Sequence, residues 1–112
     1  MNVSYEGIGY LAVTMPCDTA VAGQLCMLNA AGQVDKCEEG KPFIGFVEAV
    51  EDGKAAVQIG GAMEVGFTGS IPPAGYTKLS SNGQGGVKVD TTGREYMVLC
   101  FDSIKSTVMI KL

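Results

Sequence analysis

The chain has 112 residues, of which 12 are acidic and 8 are basic, so its net charge is −4, and it contains no histidine. This length suits one domain with its own core. The acidic balance argues against nucleic acid as a partner, because phosphate binding relies on clusters of Lys and Arg. The 16 glycines and the lack of tryptophan favour short strands and tight turns over long helices.

The first residues carry no recognisable targeting signal. The run MNVSYEGIGYLAVTMP has Glu6 where a secretory signal would be positively charged. No apolar run approaches the ~18 residues of a transmembrane helix. We therefore expect no membrane partner, and we expect the protein to remain in the cell that makes it.

The first strand is predicted over Gly9–Met15, because the residue before Pro16 is pushed towards extended geometry. Two short strands around the turn NAAG follow. The next segment, GFVEAVEDGKAAVQIGG (residues 45–61), alternates up to Asp52-Gly53 and then away from it. An Asp-Gly pair favours a tight hairpin turn. Since both faces of its first strand carry apolar groups, we predict that this strand is central.

The segment SIPPAGY (residues 70–76) is predicted to be a rigid loop across one end of the β structure, because prolines lack backbone donors. Residues 82–86 (NGQGG) are predicted to form a hairpin tip, because the phosphate-loop spacing is not met. With the later strands included, about ten short strands are predicted for the whole chain, which indicates an all-β barrel or sandwich. At most one short helix is expected, near 71–76 or 103–106. Residues 1–9 are predicted to be a flexible arm and residues 10–112 a single β domain.

The residues that could carry chemistry form no recognisable catalytic set. Without histidine, the Ser-His-Asp and Cys-His arrangements are excluded. Glu38 and Glu39 are adjacent and are typical of a solvated turn. Lys54 lies where a carrier lysine would, but its surroundings EDGKAA lack the flanking pattern of biotinyl or lipoyl sites. We predict that the protein is not an enzyme.

Four cysteines stand at positions 17, 26, 37 and 100. They include no close pair of the kind that holds structural zinc. In a chain without a signal peptide, disulfides are also disfavoured. We expect small, buried or half-buried apolar side chains, with no metal and no other cofactor.

Three stretches carry a resemblance to a known family: residues 20–50 (AVAGQLCMLNAAGQVDKCEEGKPFIGFVEAV), 55–67 (AAVQIGGAMEVGF) and 74–112. Their order of turn glycines and alternating apolar residues resembles the small β proteins encoded beside the major capsid protein in tailed phages and prophages. These are the head-decoration, or capsid-stabilising, proteins of the lambda-like type. The similarity covers residues 15–112.

The resemblance implies a non-enzymatic protein that binds the outer surface of the expanded head as a homotrimer. It would be assembled in the cytoplasm of the host bacterium and end in the virion, with the major capsid protein as its partner. Val3, Tyr5 and Ile8 of the arm are then candidates for contact with the capsid. The rigid loop supplies the candidates for the subunit interface, which are Ile71, Pro72 and Pro73.

Two other functions remain open. One is another virion component, such as a tail-tube or head-fibre β protein, which a ring of six or a fibre would favour. The other is a carrier or small-ligand barrel, for which Lys54 would bear the attached group.

Overall fold

The structure is a computed structural model that describes residues 11–112. These residues form ten β-strands. In chain order the strands are β1 (Leu11–Pro16), β2 (Leu25–Leu28), β3 (Val34–Lys36), β4 (Gly45–Glu51), β5 (Lys54–Gly60), β6 (Ala62–Thr68), β7 (Gly75–Ser81), β8 (Val87–Val89), β9 (Arg94–Asp102) and β10 (Thr107–Lys111). The all-β prediction is confirmed, and neither 71–76 nor 103–106 is helical.

The first five strands form an antiparallel sheet in the order β1-β5-β4-β2-β3. Strand β4 is central, as predicted. The chain beyond β1 reaches the opposite edge of the sheet, where Cys17 pairs in parallel with Val34 and the Asp18 N–H donates to the Val34 carbonyl at 3.0 Å. Six buried side chains form the core of this half: Ala20, Cys26, Val34, Val47, Ala55 and Val57.

The predicted hairpin is formed by β4 and β5. Its two turn residues both have positive φ, 51° at Asp52 and 72° at Gly53, which is the backbone of a two-residue turn whose twist matches the flanking strands. Strand β4 begins at Gly45, a position that requires glycine because a Cβ there would collide with the backbone carbonyl of Gln58 on β5. Strand β1 extends one residue further than predicted, to Pro16. An edge strand tolerates the missing donor.

The last five strands close into a barrel in the order β10-β6-β8-β7-β9, with β9 paired to β10. All neighbours are antiparallel except β6 and β8. Residues 82–86 join β7 to β8 as the predicted hairpin tip. There the Asn82 Oδ1 accepts hydrogen bonds from the N–H groups of Gln84 at 2.8 Å and Gly86 at 3.0 Å.

The sheet and the barrel share one core cluster. Leu25, Cys37 and Phe43, from the first half of the chain, pack among the buried side chains of the barrel. Tyr96 of β9 stacks on Phe43, with ring centroids 4.2 Å apart and planes inclined by 8°, and its hydroxyl donates to the Phe43 carbonyl at 3.0 Å. The two halves are therefore fixed against each other by apolar packing and by a buried hydrogen bond.

Candidate functional site

The loop of residues 69–74 contains the three candidates for the subunit interface. Ile71 is 46% exposed and Pro73 is also exposed, whereas the side chain of Pro72 is fully buried within the chain itself. The Thr77 hydroxyl donates to the Pro73 carbonyl at 2.9 Å. Pro72 thus fixes the loop to the core, and the loop presents Ile71 and Pro73 to solvent.

Two more exposed apolar side chains lie at the same end of the barrel, where β9 turns into β10. Phe101 is 44% exposed and Ile104 is 94% exposed. The Asp102 carboxylate accepts hydrogen bonds from the N–H groups of Ile104 at 3.0 Å and Lys105 at 3.1 Å, and the bond from Lys105 is the main reason that the pKa of Asp102 is lowered. The turn is therefore held in one shape with the Ile104 side chain in water.

Loop 69–74 and the turn between β9 and β10 lie at the same end of the barrel because β6 and β10 are neighbours. The Phe67 N–H at the end of β6 donates to the Ser106 carbonyl at 3.0 Å, and β6 then runs into the loop. A group of exposed large apolar side chains at one place on a protein marks a contact surface more often than single exposed apolar side chains do.

A second apolar surface lies on the outside of β7, β9 and β10. Tyr76 is 69% exposed, while its neighbour Thr77 is buried. The register places Tyr76 opposite Met97, and Met97 opposite Lys111. We call this surface, with Lys78 and Arg94 at its margin, the β7–β9–β10 face. Sequence analysis did not identify it, although the alternation in YTKL, where Tyr76 and Lys78 point away from the core, carried the signal.

A shallow depression lies on the sheet near the hairpin turn. Thr14 of β1 pairs with Ala56 of β5, and Ala49 of β4 pairs with Ala56 from the other side. Since these side chains are small, they leave a volume of about 440 Å³, bordered by Glu51, Asp52 and Lys54. We call this surface the β1–β5–β4 face.

Lys54, which sequence analysis considered as a carrier lysine, is exposed at the first position of β5 and pairs in register with Glu51. It therefore follows the Asp52-Gly53 turn directly.

A polar groove of about 530 Å³ lies where the sheet meets the β7–β8 tip and is lined by residues such as Thr19, Glu38 and Gln84. Glu39, which also lines the groove, forms an ion pair with Lys88 of β8 at 2.9 Å. Glu39 begins the turn of residues 39–41 and Glu38 directly precedes it; both side chains are exposed, as predicted.

The four cysteines are free thiols. Burial, reinforced by the charges of Cys37 and Cys17, raises the pKa of Cys26 to about 12. Burial likewise raises the pKa of Cys37, whose thiol donates to the backbone carbonyls of Lys41 and Pro42. Buried, protonated thiols are poor nucleophiles.

Within residues 11–112, no group of three or more Cys, Asp or Glu side chains is arranged to hold a metal ion. The same part of the chain contains no helix whose length and apolar character would let it cross a bilayer. The candidates for capsid contact, Val3, Tyr5 and Ile8, lie outside the described residues.

Comparison of the chain with protein-family models, with curated proteins and with solved structures finds no match. The case for a function therefore comes from the sequence resemblance and from the surfaces described above.

Proposed function

We propose that this protein is a head-decoration protein of a tailed phage or prophage, which binds the outer surface of the expanded head as a trimer and stabilises it. The observation that carries the proposal is the exposed apolar end of the barrel, where Ile71, Phe101 and Ile104 stand in water on a rigid support. Apolar side chains held in fixed positions favour association over catalysis, because little conformational entropy is lost when they are covered.

Each surface then has a role. Ile71 and Pro73 contact the neighbouring subunit, and Pro72 keeps the loop in place for that contact. Val3, Tyr5 and Ile8 contact the major capsid protein. Because a trimer engages three sites at once, each contact with the shell can be weak while the whole assembly stays bound.

The negative charge of the chain supports this function in a second way. Decoration requires many copies of free protein before the head is ready, and a net charge of −4 on 112 residues keeps such copies soluble. In this function the partners are the major capsid protein and other copies of the chain. The location is the capsid surface, after assembly in the cytoplasm of the host bacterium.

The test begins with native mass measurement of the purified protein at several concentrations. It continues with co-sedimentation on heads assembled from the major capsid protein of the same genome. A trimer that sediments with expanded heads, and not with unexpanded ones, supports the proposal. A monomer that ignores both kinds of head overturns it.

Two variants separate the two contacts. Replacement of Val3, Tyr5 and Ile8 by Ser is expected to leave the trimer intact and to abolish sedimentation with heads. Ile71→Asp is expected to weaken the trimer while the chain stays folded, because Ile71 is exposed. A ring of six would instead indicate a tail-tube component, and a mass shift at Lys54 would indicate a carrier.

A further inference from the structure

The two halves of the molecule carry opposite charge. Residues 11–60, which form the sheet, have seven acidic and three basic side chains, whereas residues 61–112, which form the barrel, have four acidic and five basic ones. A copy of this chain that presents its sheet to the barrel of another copy therefore meets a surface of opposite charge. Such complementarity favours that docking orientation over like-to-like contact.

The β7–β9–β10 face has the composition of an interface centre. Its exposed tyrosine, Tyr76, lies beside the half-buried Met97, and Tyr, Met and Arg are enriched at protein interfaces. Lys78 and Lys111 lie beside this pair, and Arg94 lies at its margin, over the ring of Tyr96. Glu95 is paired in register with Lys78.

The β1–β5–β4 face is complementary in shape and in charge. Its alanine floor leaves about 440 Å³, which is room for an aromatic side chain. Its border carries the exposed carboxylates of Glu51 and Asp52 against one cation, Lys54. In the described part of the chain the structure shows an ion pair between Lys88 and Glu39, and neither Glu51 nor Asp52 takes part in it.

We propose that the β7–β9–β10 face of one copy docks on the β1–β5–β4 face of the next copy, with Tyr76 in the depression and Lys78 and Lys111 opposite Glu51 and Asp52. The β1–β5–β4 face is thus covered by a second copy of this chain. This inference rests on the proposed function, because it requires that the protein assembles with itself. Because the two faces are different surfaces, the contact is head-to-tail and each subunit has one of each. Three such contacts close the trimer. Ile71 and Pro73 extend the contact, because loop 69–74 runs directly into β7.

The test uses two variants of the full chain, each of which disables one face. Tyr76→Ser with Lys78→Glu disables the β7–β9–β10 face. Ala49→Arg with Glu51→Lys disables the β1–β5–β4 face by filling the depression and reversing its charge. All four positions are exposed, so circular dichroism is expected to show the wild-type fold. Lys41→Glu is the matched control, since it makes the same charge reversal at an exposed position outside both faces.

Each double variant alone is expected to be monomeric where the wild type and Lys41→Glu are trimeric, with an association constant lowered by about thirtyfold or more, the usual effect of removing a central tyrosine. An equimolar mixture of the two variants is expected to form one-to-one pairs and nothing larger, because one intact contact remains between them. This outcome is specific to a head-to-tail contact.

Three results would count against the inference or against its basis, and they differ. If both double variants remain trimeric, or if their mixture remains monomeric, the proposed faces are wrong while the trimer and its function stand. If either pair of changes unfolds the chain, Lys78→Glu and Glu51→Lys alone are compared, and wild-type association constants in both refute the inference. A wild-type protein that is monomeric at every concentration refutes the self-assembly on which the inference rests.

Discussion

Removing the hydrogen bond from Tyr96 to Phe43 tests most directly how the two halves of the molecule are held together. Tyr96→Phe removes the hydroxyl that donates to the Phe43 carbonyl at 3.0 Å and leaves the stacked rings in place. The carbonyl loses its donor in a site where Phe43 is fully buried and Tyr96 is 5% exposed. A buried acceptor left without its partner costs about 1–3 kcal/mol of unfolding free energy. For a chain of this size, each kcal/mol lowers the melting temperature by roughly 4–8 °C.

The assay is urea unfolding followed by circular dichroism, with the same protein melted thermally. The control is Thr91→Val, which removes a hydroxyl from an exposed side chain outside both proposed faces. Surface changes of this kind stay within about 0.5 kcal/mol. Sedimentation of both variants verifies that their assembly is unchanged. If Tyr96→Phe loses no more stability than Thr91→Val, the buried hydrogen bond does not stabilise the join between sheet and barrel.

Three further predictions concern the turn and two titrating groups. Gly53→Ala is expected to cost about 1–2 kcal/mol in urea unfolding, because its φ of 72° is strained for a residue with a Cβ. The raised pKa of Cys26 means that stability is full below pH 9 and falls as the pH rises towards about 12, so Cys26→Ala should flatten that alkaline slope. Hydrogen bonds from the Thr92 hydroxyl and then from Ser80 lower the pKa of Asp90 to about 2. The stability that the ionised Asp90 contributes is therefore present above pH 4 and is lost as the pH falls through about 2. Asp90→Asn should reduce this dependence of unfolding on acid pH, and an unchanged dependence below pH 4 would contradict the prediction.

The hairpin of residues 45–61 could be predicted from sequence almost residue by residue. Its turn is specified locally, since Asp52 and Gly53 accept positive φ. The burial of its strands alternates less regularly than their sequence, because the register shifts between Val47 and Ala49 and residues 48–51 are all exposed. The same holds for the NGQGG tip, where the Asn82 side chain organises the turn from within. Local chemistry of this kind is written in a few adjacent residues, so no knowledge of the rest of the chain is needed.

The closure of the barrel could not be predicted in this way. It depends on the parallel pairing of β6 with β8, which joins Phe67 to Val87 across twenty residues. In the sheet, the return of Cys17 to Val34 is a long-range pairing of the same kind. Such pairings are decided by which faces are buried together, and alternation alone is compatible with several strand orders.

The contact surfaces were partly predictable. The loop with Ile71, Pro72 and Pro73 was identified because two prolines exclude a central strand, but its inward and outward residues were not distinguishable. Pro72 turned out to be buried, whereas its neighbours are exposed. Tyr76 was missed because it was placed at the end of the predicted loop of residues 70–76, whereas the loop ends earlier and Tyr76 is the second residue of β7. Only the register with Met97 and Lys111 shows that it points outward.

The central claim is that this chain acts by adhesion to a capsid as a trimer. The most direct measurement is native mass spectrometry of expanded heads mixed with a stepwise excess of the protein. The account predicts that mass is gained in increments of three chains of 11.6 kDa until the sites are full, and that the saturated heads withstand heating that opens bare heads. Heads that gain no mass, or that gain single chains without added stability, would contradict it.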